Sequence, residues 1–191
     1  MRFDDGTELR LYRQTVEDFG LFAGRELTDE EMADLQESAG KMSAKMRAVR
    51  ILATTGVSKK DLEQRLIHKG ENPEHAQKAV EWMEDLSLID DRKTAEQIVQ
   101  RCIGKGYGLA RAKQALYEKR IPKEYWQEVL ADYPDQLDHI VTYLEAHLPD
   151  CNDPKQLRKA MDALIRRGHS YSQIRKALQQ FSVDTEEFPE G

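Results

Sequence analysis

The chain has 191 residues, 39% of them hydrophobic, and its 29 Lys and Arg against 35 Asp and Glu give a formal net charge of −6. That hydrophobic share suffices for a folded core, and with two Trp, seven Tyr and five Phe the core must be built mainly from aliphatic residues, a mixture that suits helices. No run approaches the roughly 20 apolar residues of a membrane span, and MRFDDGTELRLY has neither the basic start nor the apolar stretch of a signal peptide, so a cytoplasmic protein without membrane contact is expected.

The leader, residues 1–40, reads as a short β-hairpin followed by helix. Phe3, Leu9 and Leu11 alternate with polar neighbours around Asp5-Gly6, a turn-forming pair. Two capping boxes follow, Thr15 to Asp18 and Thr28 to Glu31, with helix expected from Thr28 onward and a kink or split at Gly40. These 40 residues hold four Arg against eleven acids, or −7.

From residue 41 to 181 helix punctuation is dense and the charge reverses, with 25 Lys or Arg against 20 acids, or +5. A first trio of helices occupies 41–89. Met46, Val49 and Leu52 form one stripe, Ser58 and Asp61 open a helix carrying Leu62 and Leu66 and stopped at Gly70, and Asn72-Pro73 opens the third. A second trio spans 90–133: Asp90-Asp91 caps a helix running to Lys105-Gly106, Ala112 and Leu116 line the next, and Pro122 opens another through Tyr125, Trp126 and Leu130. The third, 134–181, repeats the pattern through Ile140, Leu144, Leu157, Leu164, Ile174 and Leu178. Leu66, Leu116 and Leu164 lie 50 and 48 residues apart, and each is followed three positions later by a base: Lys69, Lys119, Arg167. Self-similarity at a fixed period implies a mainly α protein of three tandem three-helix repeats stacked into an elongated, curved body. Residues 182–191 carry four acids and no base and are expected to form a disordered tail.

Catalytic sets are scarce. His68, His75, His139, His147 and His169 lack HExxH or HxxxH spacing and read as surface residues near turns, so no metal is assigned. Cys102 and Cys151 stand in no CxxC or Cys/His array, which gives no disulfide. Lys105-Gly106-Tyr107-Gly108 resembles a phosphate loop only loosely, and no nucleophile elbow is present. Neither a catalytic residue nor a cofactor is assigned, and the chain is read as a monomer that is not an enzyme. Trp82, Tyr125 and Trp126 sit at apolar spacing and read as core. The informative residues are basic: His68-Lys69, Lys119-Arg120 and Arg166-Arg167 occupy equivalent places in the three trios, with Arg65, Lys105, Arg111 and Lys113 nearby in sequence. Stacking would align them as a cationic ridge suited to a polymeric, acidic partner, including weakly held single- or double-stranded DNA. The same cations also complement helix C-terminal dipoles, worth about 0.3 to 1 kcal/mol each.

The stretch LEQRLIHKG at 62–70, then Ala79-Val80 through LSLIDD at 86–91 with Ala95, and AKQALYEKRI at 112–121 closely resemble the RecX regulatory proteins. The likeness spans residues 1–181 and includes the leader's FDDGTELRLY. Arg120 departs from it, since many members place Gly there, so the turn before Ile121 is expected to differ. The resemblance implies tandem three-helix repeats that lie in the helical groove of the RecA filament on DNA. It implies a non-enzymatic modulator that mainly inhibits recombination, ATP hydrolysis and co-protease activity in DNA repair and the SOS response. A stand-alone DNA-binding repeat protein and an adaptor for another helical assembly share the architecture and stay open.

Overall fold

A computed structural model of the chain describes residues 1–4, 6–151 and 153–181; the acidic tail at 182–191 lies outside them. The chain forms two compact units, Met1–Asp91 and Arg92–Gly191.

The described residues of the leader contain no strand. Arg2 and Glu8 make one isolated antiparallel bridge around Gly6, at φ 85°, closed by the Leu9 N–H on the Met1 carbonyl at 3.0 Å. So short a pairing turns the chain without building a sheet. Thr15 is likewise not a cap: helix α1 is Arg13–Asp18, and Thr15 is buried inside it. The second capping box is formed. Thr28 accepts the Glu31 N–H at 3.2 Å while Glu31 takes the Thr28 N–H at 2.9 Å, and helix α2 runs from Asp29 to Thr54. Gly40 neither ends nor splits it; a side chain there would overlap the His75 imidazole, 2.5 Å from where Cβ would sit.

Helix α2 packs on α3 (Lys59–His68) and α4 (Pro73–Asp85) around Ala44, Ala48, Leu62, Leu66, Ala79 and Met83. Ser58 and Asn72 cap α3 and α4 as their types predict. Two buried polar groups tie α2 to the α3–α4 turn and to α4. The Glu71 carboxylate accepts from Arg47 Nε at 2.6 Å and Ser43 Oγ at 3.0 Å, and His75 Nε2 meets Glu37 at 2.8 Å.

The second unit holds α5 (Asp91–Gly104, begun by the last residue of the first unit), α6 (Leu109–Glu118), a 3-10 turn at Lys123–Tyr125, α7 (Trp126–Leu130), α8 (Leu137–His147), α9 (Pro154–Arg166) and α10 (Tyr171–Leu178). Ala95, Val99, Leu116 and Ile121 form one core with Trp126 and Tyr125 packed on it, while α8, α9 and α10 enclose another around Ile140, Leu144, Leu164 and Ile174. The helix expected after Pro122 is thus shortened to a 3-10 turn and five α residues. Leu66, Leu116 and Leu164 are each 1% exposed or less, and burying such a side chain contributes about 1.5 to 3 kcal/mol.

Candidate functional site

The three bases found three positions after Leu66, Leu116 and Leu164 occupy one structural position. Lys69, Lys119 and Arg167 are the C-caps of α3, α6 and α9, with φ/ψ of −84/6°, −88/4° and −79/−3°. The next residue turns left-handed in each case: Gly70 at φ 89°, Arg120 at 54°, Gly168 at 88°. The residue after that returns its N–H to the buried leucine's carbonyl, from Glu71 to Leu66 at 3.1 Å, Ile121 to Leu116 at 3.0 Å and His169 to Leu164 at 3.2 Å. This is the Schellman stop, in which two otherwise orphaned carbonyls are satisfied. The turn before Ile121 therefore matches the other two stops of this chain: Arg120 adopts the left-handed conformation despite its Cβ. Each stop leaves a cation beside the negative end of a helix dipole.

Of the remaining predicted residues, Arg65 belongs to α3, where Asp61 holds it at 3.1 Å, and His68 is exposed at that helix's last turn. Within the second unit, Lys105, Arg111, Arg166 and Arg167 converge with Tyr107, Tyr143 and Ala163 on a cleft of about 530 Å³. Lys113 is exposed on α6 outside that lining, and Arg120 borders a different groove.

Glycine brings the cleft's walls together. A Cβ on Gly108 would lie 2.0 Å from the Gly168 carbonyl oxygen, and one on Gly168 would lie 2.2 Å from the Arg111 nitrogen. Two backbone bonds use this proximity, Gly108 N–H to the Arg167 carbonyl at 3.0 Å and Ala110 N–H to the Gly168 carbonyl at 3.2 Å. The Lys105-Gly106-Tyr107-Gly108 segment is thus a packing seam. His169 lies in the seam, 5% exposed, with Nε2 3.0 Å from the Gly106 carbonyl, and burial lowers its pKa below the ordinary imidazole value. His169 and His75 are buried, contrary to the surface expectation, while His68, His139 and His147 are exposed.

Tyr143 organises the cleft's far side. The Arg167 guanidinium stands 4.5 Å from its ring centroid, and His147 stacks on it at 4.1 Å. Arg111 reaches Glu118 at 3.0 Å, and that hydrogen bond, with a second from Gln114, holds the Glu118 carboxyl below the usual range. Sequence spacing missed Tyr107 and Tyr143, because they join the cations through the seam rather than through any linear pattern. The cleft concentrates guanidinium and ammonium groups fit to take phosphate or carboxylate oxygens. Burial pushes the Cys102 thiol up, leaving it a poor nucleophile at neutral pH. Among the described residues no three His, Cys, Asp or Glu side chains converge as a metal set, and no helix is long and apolar enough to cross a membrane.

Comparison with known proteins gives a consistent result. Regulatory protein RecX of Streptococcus gordonii is 26% identical over 191 residues, covering 98% of this chain and 74% of that protein. Regulatory protein RecX of Xanthomonas axonopodis pv. citri is 30% identical over 134 residues, 69% of this chain and 83% of that protein. A crystal structure of regulatory protein RecX superposes with a TM-score of 0.68 at 19% identity, covering 93% of this chain and 91% of the other, and shows a shared fold. No family model matches the sequence.

Proposed function

Because the chain belongs to the RecX family of regulatory proteins, we propose that it binds the RecA nucleoprotein filament in its helical groove and restrains recombination, ATP hydrolysis and co-protease activity. It acts in the cytoplasm as a monomer, without catalysis of its own. In this reading residues 41–89, 90–133 and 134–181 are tandem three-helix repeats forming an elongated, curved body, and successive repeats meet successive protomers. Several modest contacts on one polymer then combine through effective concentration. The ten basic residues, Arg65, His68, Lys69, Lys105, Arg111, Lys113, Lys119, Arg120, Arg166 and Arg167, supply contacts to filament or DNA.

The observation that carries the reading is the equivalence of Lys69, Lys119 and Arg167, one cation at the same helix stop in each trio. A purely electrostatic complement to the dipole does not require that register. The convergence of four predicted cations on one cleft adds support. RecA ATPase on single-stranded DNA tests it: substoichiometric chain lowers the steady-state rate, and an unchanged rate with filaments that the chain does not bind would favour an adaptor for a different assembly.

A further inference from the structure

A second groove in the Arg92–Gly191 unit, about 570 Å³ in volume, lies at the C-terminal end of α6 and is lined by Tyr117, Arg120, Ile121, Lys123 and Trp126 together with Gln114 and Glu118. Tyr117 is 68% exposed although it follows the fully buried Leu116. The helical register places it about 100° away from the core-facing side. One exposed aromatic ring is ordinary in itself; its surroundings are not. The Trp126 Nε1–H is already given to the Ile121 carbonyl at 3.1 Å, so the indole brings carbon surface to the groove with its polar edge satisfied. Glu118, the one carboxylate in that lining among the described residues, is engaged by Arg111 at 3.0 Å and Gln114 at 3.1 Å. Residues 109–126 hold five Lys or Arg against two Glu, a local +3 in a chain of −6. Arg120 keeps φ 54°, a conformation that disfavours any side chain, and in doing so presents a guanidinium at the groove.

We infer that this groove takes an unpaired nucleobase of single-stranded DNA, with Tyr117 as the stacking face and Arg120 and Lys123 meeting the flanking phosphates. An accessible ring among cations has the two components that non-sequence-specific single-strand binding needs: a π-face for any base and charge for the backbone. A duplex hides its base faces and meets only the second component. Charge complementarity selects a polyanion over a neutral or basic peptide. The inference deepens the proposed role of Arg120 in the basic ridge and rests on that reading for its biological setting, while its physical content needs no RecA.

The test is fluorescence anisotropy of the full chain at low salt with three labelled probes of equal length: oligo-dT, an abasic oligonucleotide, and duplex DNA. Tyr117→Ala should weaken oligo-dT binding about tenfold, Tyr117→Phe should stay within about twofold of the natural chain because the π-face is kept, and neither substitution should alter abasic or duplex binding. Failure of the natural chain to bind oligo-dT, equal oligo-dT affinity of Tyr117→Ala, or parallel losses on all three probes each overturn the inference. Oligo-dT binding as described, with RecA ATPase unaffected, would sink the filament reading and leave the stacking site standing.

Discussion

The Asp91 carboxylate accepts the Lys59 N–H at 2.8 Å, and so supplies the first orphan donor of α3 from the first residue of α5. Adjacent acids at a helix start suggest a cap for that same helix; Asp91 also serves a different one, 32 residues away. Burial raises the Asp91 pKa even though this bond favours the ionised form. Asp91→Ala strands the Lys59 N–H and should cost about 1 kcal/mol in urea denaturation, whereas Asp91→Asn keeps an acceptor without the buried charge and should cost less. His169 gives a pH-dependent counterpart. Burial lowers its pKa in the folded chain, so the native state binds fewer protons than the unfolded one between that lowered pKa and the ordinary 6.5. Stability from this residue is present above 6.5 and is lost as pH falls from there toward the folded value. Urea midpoints at pH 7.5 and pH 5.5 should therefore drop more for the natural chain than for His169→Gln, and equal drops would remove the buried imidazole as a cause.

At the scale of elements, the helix stops decide what is placed where. The Schellman pattern recurs after α4 and α5 as well, where Leu88 returns its N–H to Met83 at 2.9 Å and Tyr107 to Cys102 at 3.0 Å. Two stops lack glycine at the left-handed position, Ser87 at φ 55° and Arg120 at 54°. Ser87→Gly and Arg120→Gly should each stabilise by about 0.5 to 1 kcal/mol, since relief of Cβ crowding exceeds the added flexibility of the unfolded chain. Thermal midpoints measure this, and a loss at either position would mean that its side chain holds more than the turn costs. Gly108→Ala should act oppositely and strongly, by about 3 kcal/mol or more, because the approaching atom is backbone and cannot swing aside. The stops at Gly70 and Gly106 and the caps at Ser58 and Asn72 were legible in the sequence because each depends on the local chemistry of one or two residues. The seam was not legible: a glycine that admits a neighbouring backbone has the same letter as one that ends a helix.

At the scale of the whole molecule, period and charge segregation in the sequence led to the mainly helical class and to the helix-stop cations, whereas the contents of each cleft depended on contacts between distant segments. Lys105 and Arg166 share a lining though 61 positions separate them, and no spacing rule connects them. The leader failed as a strand pairing because alternation over so few residues closes only one bridge. Tyr117 was not legible for a different reason: an amphipathic ring beside a buried leucine carries the same letter whether it packs or stands in solvent. The proposed mode of action joins these scales: cations fixed at equivalent stops, presented repeatedly to a polymer that is itself periodic. The most direct measurement is the affinity of the chain for preassembled RecA filaments on single-stranded DNA across Lys69→Glu, Lys69→Glu with Lys119→Glu, and both with Arg167→Glu, with circular dichroism confirming the fold of each. Repeated contacts predict that every added reversal lowers affinity by a comparable factor and that the triple variant no longer restrains ATP hydrolysis; a triple variant that binds and inhibits like the natural chain would contradict it.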